Sequence, residues 1–277
     1  MLASLTLSFP LALALPISWH DHLSVAQQMH RLRAQQGHNN RTHAAIFFER
    51  WFCYLDTFGA CSGNVYHGCP QEWPSELLAA EKDPELKCLT GYTTSSLLLL
   101  ARVAEICKRC DRERKELGSP SYTTINESQQ IRLSLELTSL EVQQRRYDRV
   151  CSSTIFSADV YLGVNVALCH AALIMLLRRA FLLPTDAMLL QHSAKTILTA
   201  LRDGERYNPI TIPDIILPLF LAGCETKDQV QRSDVLRRLE RIGNAGMSQT
   251  TRVRALLQEC WDGRKDWTEL DHNVFLG

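Results

Sequence analysis

The run ADVYLGVNVALCHAALIMLL at 158–177 constrains the chain more than any other feature. Wound as a helix it is apolar on every side and leaves no polar stripe for water. Such a helix belongs either in a bilayer or at the centre of a large α-domain. The run is about as long as a membrane span requires, and Arg178 and Arg179 follow it. Asp159, Asn165 and His170 oppose a span, because each is costly in hydrocarbon. The alternative home needs enough chain to wrap the helix. The 277 residues, 45% hydrophobic and 22% charged, have ordinary globular make-up and suffice for one large domain. The expectation is a buried central helix over 154–183, stopped by Pro184, with Leu168, Leu173 and Leu176 turned inward.

The rest of the sequence reads as helices around that spine. Period-3.6 patterns predict helices over 19–36, 43–61, 94–117, 186–202, 213–223, 228–242, 249–261 and 266–273. Asn126, with Gln129 three residues on, predicts a capped start for a helix reaching Val150. Thr185 is the expected cap of 186–202, and Pro213 the expected opening of 213–223. Residues 64–92 carry Pro70, Pro74 and Pro84 and read as a long connection with a short helix at 75–82. No period-two alternation persists, so no strands are expected. The fold class is all-α: one domain of about ten helices, with 1–42 as an apolar and amphipathic lead-in and 43–277 as the domain proper.

Charge and motifs exclude more than they select. Thirty basic residues balance thirty acidic ones, whereas a chain that holds nucleic acid by itself carries a basic stripe. Specific DNA binding by this chain alone is not expected. Gly59-Ala-Cys61-Ser-Gly63 imitates a nucleophile elbow, but that turn needs a strand before it, and here a helix precedes it. Cys107-Lys-Arg-Cys110 is a single CxxC on an apolar helix face, without the partner ligands a zinc site needs. His20, His22 and His30 have poor spacing for a metal. No Walker loop, GxGxxG or HExxH occurs. The expectation is no catalytic residue, no metal site, no cofactor and no enzyme. The opening MLASLTLSFPLALALPIS lacks a basic n-region and is broken by Pro10 and Pro16, so it reads as an apolar lead-in rather than a secretory signal. The competing reading is a membrane-associated or secreted helical protein with a signal or anchor at 1–18.

Four segments then fall into a familiar order. FFERWFCYLDTFGACSG (47–63) resembles the F-x-x-x-W-F-x-Y-x-D helix of fungal-specific transcription factor regulatory domains. GYTTSSLLLLARVAEICKR (91–109) is similar to the G-Y-S-x-S-L-L segment that follows it. PDIILPLFLAGCET (213–226) resembles the W-P-L-F-I-A-G-C-E-A stretch, and RVRALLQECWDGRKDWTELDHNVFLG resembles the close of that domain. The resemblance implies the regulatory half of a zinc-cluster regulator. Members of that group control sterol uptake, amino-acid catabolism and secondary metabolism, and the sterol-uptake members bind a hydrophobic effector. It implies a nuclear location, contacts with the transcription machinery or other regulators, and a homodimer. The family's DNA-reading zinc cluster is absent, since the ten cysteines at 53, 61, 69, 88, 107, 110, 151, 169, 224 and 260 do not form its two CxxC pairs. Either that part lies upstream of Met1 or this protein never had one. A small apolar effector would sit between 154–183 and 212–224, oriented by Asn165 and walled by Ile216 and Phe220, in a gap opened by Pro213 and Pro218.

Overall fold

The apolar run is a helix, and four other helices surround it. The structure is a computed structural model that describes residues 21, 23–26, 28–29, 32, 43–62, 91–144, 158–205, 215–269 and 276. The helices are α1 His43–Cys61, α2 Thr94–Leu117, α3 Tyr122–Gln144, α4 Ala158–Arg179, α5 Met188–Glu205, α6 Ile216–Glu225, α7 Gln229–Asn244 and α8 Gln249–Trp261, followed by a 3-10 turn at Trp267–Glu269. No strand occurs among the described residues. The all-α expectation holds.

Helix α4 is the spine, packed against α2, α3, α5 and α6. Leu168, Leu173 and Leu176 are buried, as are nearly all its described side chains. Among the described residues it is the one helix long and apolar enough to cross a membrane, but its apolar surface faces protein on all sides. Residues 1–18 lie outside the described residues.

The closest partner of α4 is α5. Gly163, Ala167 and Ala171 recur every fourth residue and so share one face of α4. A Cβ on Gly163 would stand 2.4 Å from the Ala200 carbonyl oxygen, so α5 lies directly on the glycine. Opposite, Leu190, Ala194, Ile197, Leu198 and Leu201 form the buried stripe of α5. Small residues on α4, and Ala194 and Ala200 on α5, let the two axes approach closely.

Local chemistry explains the helix ends. Thr93 caps α2 by accepting from the Ser96 N–H at 3.1 Å, and Gly118 ends it with φ 82°, its N–H donating to the Arg114 carbonyl. Both boundaries match the expectation. The start of α3 does not. It begins at Tyr122, four residues before Asn126, because Ser121 is the cap: its Oγ accepts from the Thr124 N–H at 3.3 Å. Glu113 of α2 accepts from the Ser121 N–H at 2.7 Å and from the Thr124 hydroxyl at 2.9 Å. This is the work of a capping-box glutamate done by a neighbouring helix, and it holds the Glu113 carboxyl below its usual range.

Helix α4 stops at Arg179, short of Pro184. Leu182 turns the chain at φ 52°. Two guanidiniums cover carbonyls at this turn: Arg114 donates to Arg179 O, released at the helix end, at 2.7 Å, and Arg178 to Leu183 O of the following loop at 2.6 Å. Helix α5 begins at Met188 rather than 186, since Ala187, not Thr185, supplies the first carbonyl, to the Gln191 N–H at 3.1 Å. Helix α7 is capped by Asp228, which accepts from the Val230 N–H at 2.9 Å. Helix α8 matches its expected bounds. The described residues between 21 and 32 are helical. The short helix at 75–82, the reach of α3 to Val150 and Pro213 fall outside the described residues. Of the expected 266–273 helix, Trp267–Glu269 is the described part.

Candidate functional site

The effector residues predicted from sequence are placed as follows. Asn165 is fully buried on α4. Its Oδ1 accepts from the Thr93 N–H at 2.7 Å, and its Nδ2 donates to the carbonyls of Gly91 at 2.9 Å and Tyr161 at 2.8 Å. Three of the four hydrogen bonds an amide can make are thus formed: two fix the chain entering α2, and the third returns to the backbone of α4 one turn back. Ile216 and Phe220 are buried on α6, which packs on α4 and α5. Pro218 occupies the third position of α6. An N–H there has no intrahelical acceptor in any helix, so this proline removes no bond and forces no gap.

His170 is the second polar residue of the spine. Ser139 of α3 lies 3.2 Å from its Nε2 and Ser193 of α5 lies 3.3 Å from its Nδ1. Burial, with His192 nearby, pushes its pKa down to about 4. The ring is neutral at physiological pH, and two hydroxyls meet its two nitrogens in either tautomer.

The cysteine motifs resolve as packing. Cys61 ends α1 in the core, and burial pushes its thiol up to about 12. The neighbouring Ser62 donates to Phe58 O at 2.6 Å and accepts from the Leu276 N–H at 2.9 Å. Cys107 and Cys110 are both buried, and the Cys107 thiol is likewise pushed up to about 12 by burial. His20, His22 and His30 lie outside the described residues.

The densest polar cluster lies at the end of α6, which residue spacing alone did not single out. Glu225 is fully buried. Its Oε1 accepts from the Trp267 indole N–H at 2.5 Å and stands 3.1 Å from Arg178 Nε. Arg178 is paired with Asp266 as well. Gln191 of α5 donates to the Glu225 carbonyl at 2.8 Å and to the Thr185 carbonyl at 2.6 Å. Trp261, at the end of α8, donates to Gly223 O at 2.8 Å, and the Arg232 guanidinium lies 5.1 Å over its ring. Beside them the Cys224 and Cys260 sulfurs are 3.9 Å apart. Gly223 is needed here, since a Cβ would come within 2.8 Å of Leu257 and 3.1 Å of Val235. Burial raises the Glu225 carboxyl despite Trp267 and Arg178. Its Oε1 ties the C-terminal segment to α4, while its Oε2 is buried without a hydrogen-bond partner among the described residues.

This cluster joins two of the four segments that carry the family resemblance, the 213–226 stretch, through its AGCET at 222–226, and the C-terminal stretch with Trp261, Arg264 and Trp267. The signal lay in those words of sequence. Their pairing lay in the fold, because Glu225 and Trp267 are 42 residues apart and Arg178 and Asp266 are 88 apart.

The profile of the fungal-specific transcription factor domain matches residues 8–272, nearly the whole chain, and the chain belongs to that family. Its role is accordingly in transcription regulation. No curated protein and no solved structure gives a match.

Proposed function

We propose that this chain is the regulatory half of a zinc-cluster-type transcription regulator, acting in the nucleus through contacts with the transcription machinery or other regulators. It works without catalysis and without a cofactor of its own, and DNA contact comes from another segment or a partner. The family match over residues 8–272 carries this reading. The zero net charge supports the division of labour, since phosphate contacts demand local basic excess. Protein contact is supported by α3, whose outer face leaves Leu133, Leu137 and Leu140 52%, 61% and 51% exposed in a row of the kind that marks interaction surfaces. The test is to fuse the chain to an unrelated DNA-binding domain and measure a reporter. A change in transcription that is lost with Leu133→Asp/Leu137→Asp supports the reading. An inert fusion, or a salt-resistant specific gel shift by the chain alone, overturns it.

The effector reading is a second proposal. A small apolar molecule would enter the α4–α6 seam against Ile216 and Phe220, and the remaining lone pair of Asn165 Oδ1 would accept from its hydroxyl. A thermal-shift screen with sterols and fatty acids tests it. A melting-temperature rise that is lost in Phe220→Ala supports binding at this seam. No rise with any apolar compound refutes it, and the domain is then a scaffold for partner proteins.

A further inference from the structure

Seven described cysteines carry free thiols, and five of them are buried: Cys53, Cys61, Cys107, Cys110 and Cys169. The other two, Cys224 and Cys260, are half-buried and lie together. They sit at the C-terminal ends of α6 and α8, with sulfurs 3.9 Å apart. A disulfide needs about 2.05 Å, so the sulfurs must close by about 2 Å. Among the described residues no group of three or more His, Cys, Asp or Glu is arranged to hold a metal, so the pair does not belong to a described metal centre.

We propose that Cys224 and Cys260 are a thiol pair that a peroxide oxidises to a disulfide, fastening α6 to α8. This goes beyond the regulatory reading and does not depend on an apolar effector. The two thiols differ in readiness. The Cys224 S–H donates toward Cys260 Sγ and holds the Cys260 thiol below its ordinary value, whereas burial drives Cys224 well above its own. Cys260 is therefore the attacking sulfur, because the thiolate is the nucleophile. Its thiolate attacks one peroxide oxygen, the O–O bond breaks, and the departing hydroxide takes up a proton. Cys260 is then a sulfenic acid. The Cys224 sulfur attacks Cys260 Sγ, the S–O bond breaks, and a second water leaves with the Cys224 proton. The two sulfurs together give up two electrons, and one hydrogen peroxide is reduced to two waters. The core cysteines are poor competitors, since burial pushes Cys61 and Cys107 up to about 12 and Cys169 up to about 11.

The cross-link would fix the same helix end that Trp261 and Trp267 hold, and it would close the loop 224–260. The experiment treats the purified full chain with hydrogen peroxide, alkylates the remaining thiols and maps proteolytic peptides by mass. The expected product is a linked peptide pair containing Cys224 and Cys260, lighter by two hydrogens and separated by dithiothreitol. The melting temperature should rise by roughly a few degrees, because the linked loop restricts the unfolded chain. In Cys224→Ser, dimedone should trap Cys260 as its sulfenic acid. Two results overturn the proposal: both thiols remaining alkylatable after peroxide, or cross-links joining the buried cysteines in equal yield. The peptide map of the unsubstituted chain decides the matter even if the Cys224→Ser variant does not fold.

Discussion

Replacing Gly163 with alanine tests the packing of the spine, because its sign depends on one geometric fact. In an exposed helix interior, Gly→Ala stabilises by about 1 kcal/mol. Here the new Cβ would stand 2.4 Å from the Ala200 carbonyl oxygen and 3.2 Å from its carbon. That is about 1 Å inside ordinary contact, and the obstacle is helix backbone rather than the tip of a side chain. Helix α5 must retreat, and its contacts along the face of Ala167 and Ala171 weaken with it. Overpacking of this kind costs about 1–3 kcal/mol. After the propensity gain, the net loss is about 0–2 kcal/mol, at roughly 2–4 °C of melting temperature per kcal/mol in a chain of this size. The assay is urea unfolding followed by far-ultraviolet circular dichroism, with Gly243→Ala as the comparison. There the Cβ would meet the Thr250 side chain, its hydroxyl at 2.6 Å, an obstacle of side chain rather than backbone, though one that donates to Met247 O. Gly163→Ala should lower the midpoint more than Gly243→Ala does. A stabilised Gly163→Ala variant would refute the close approach of α4 and α5.

Leu173→Ala should destabilise by about 2–5 kcal/mol in the same assay, and a loss below about 0.5 kcal/mol would contradict its burial on the spine. His170, whose folded pKa is pushed down to about 4 from 6.5, makes stability depend on acid. As pH falls from 6.5 toward 4 the unfolded chain takes a proton that the native chain refuses, so stability drops by about 3 kcal/mol in all. Urea midpoints measured across that window should flatten in His170→Gln, and parallel curves would refute the assignment. Glu225→Ala, which leaves the Trp267 N–H without its acceptor and Arg178 with only Asp266 and Leu183 O among the described residues, should cost about 1–3 kcal/mol. Glu225→Gln keeps the acceptor for the indole and should cost less, and the reverse order in thermal melts would contradict the cluster.

Helix boundaries were legible where their causes are local. Thr93 and Gly118 lie beside the ends they determine, so α2 could be bounded by reading along the chain. The start of α3 was missed because half of its cap is Glu113, contributed by the preceding helix. Composition announced α4 as a core element, since its uniform apolarity leaves no face for water. That Asn165 needed a partner was also legible, but the partner was not: it is the backbone of Gly91 and Thr93, more than seventy residues upstream. The gap expected from Pro218 presumed a proline in mid-helix. Its place in the first turn removes the reason for a bend.

The cluster at the end of α6 was visible in outline as two recognisable stretches, yet its logic is three-dimensional. A buried ion pair is a weak way to gain stability, since well-packed apolar residues of similar volume do as well or better. What it supplies is direction. Glu225 accepts from Trp267 and faces Arg178, and Arg178 in turn holds Asp266 and Leu183 O. An apolar patch places no directional demand on the C-terminal segment, whereas the indole of Trp267 and the carboxylate of Asp266 each meet one particular partner here. The Trp261 bond to Gly223 and the Gln191 bond to Glu225 fasten α8 and α5 to the same two residues of α6. The spine, its closest neighbour and the end of the chain thus share one junction, and a displacement of any of them strains the others.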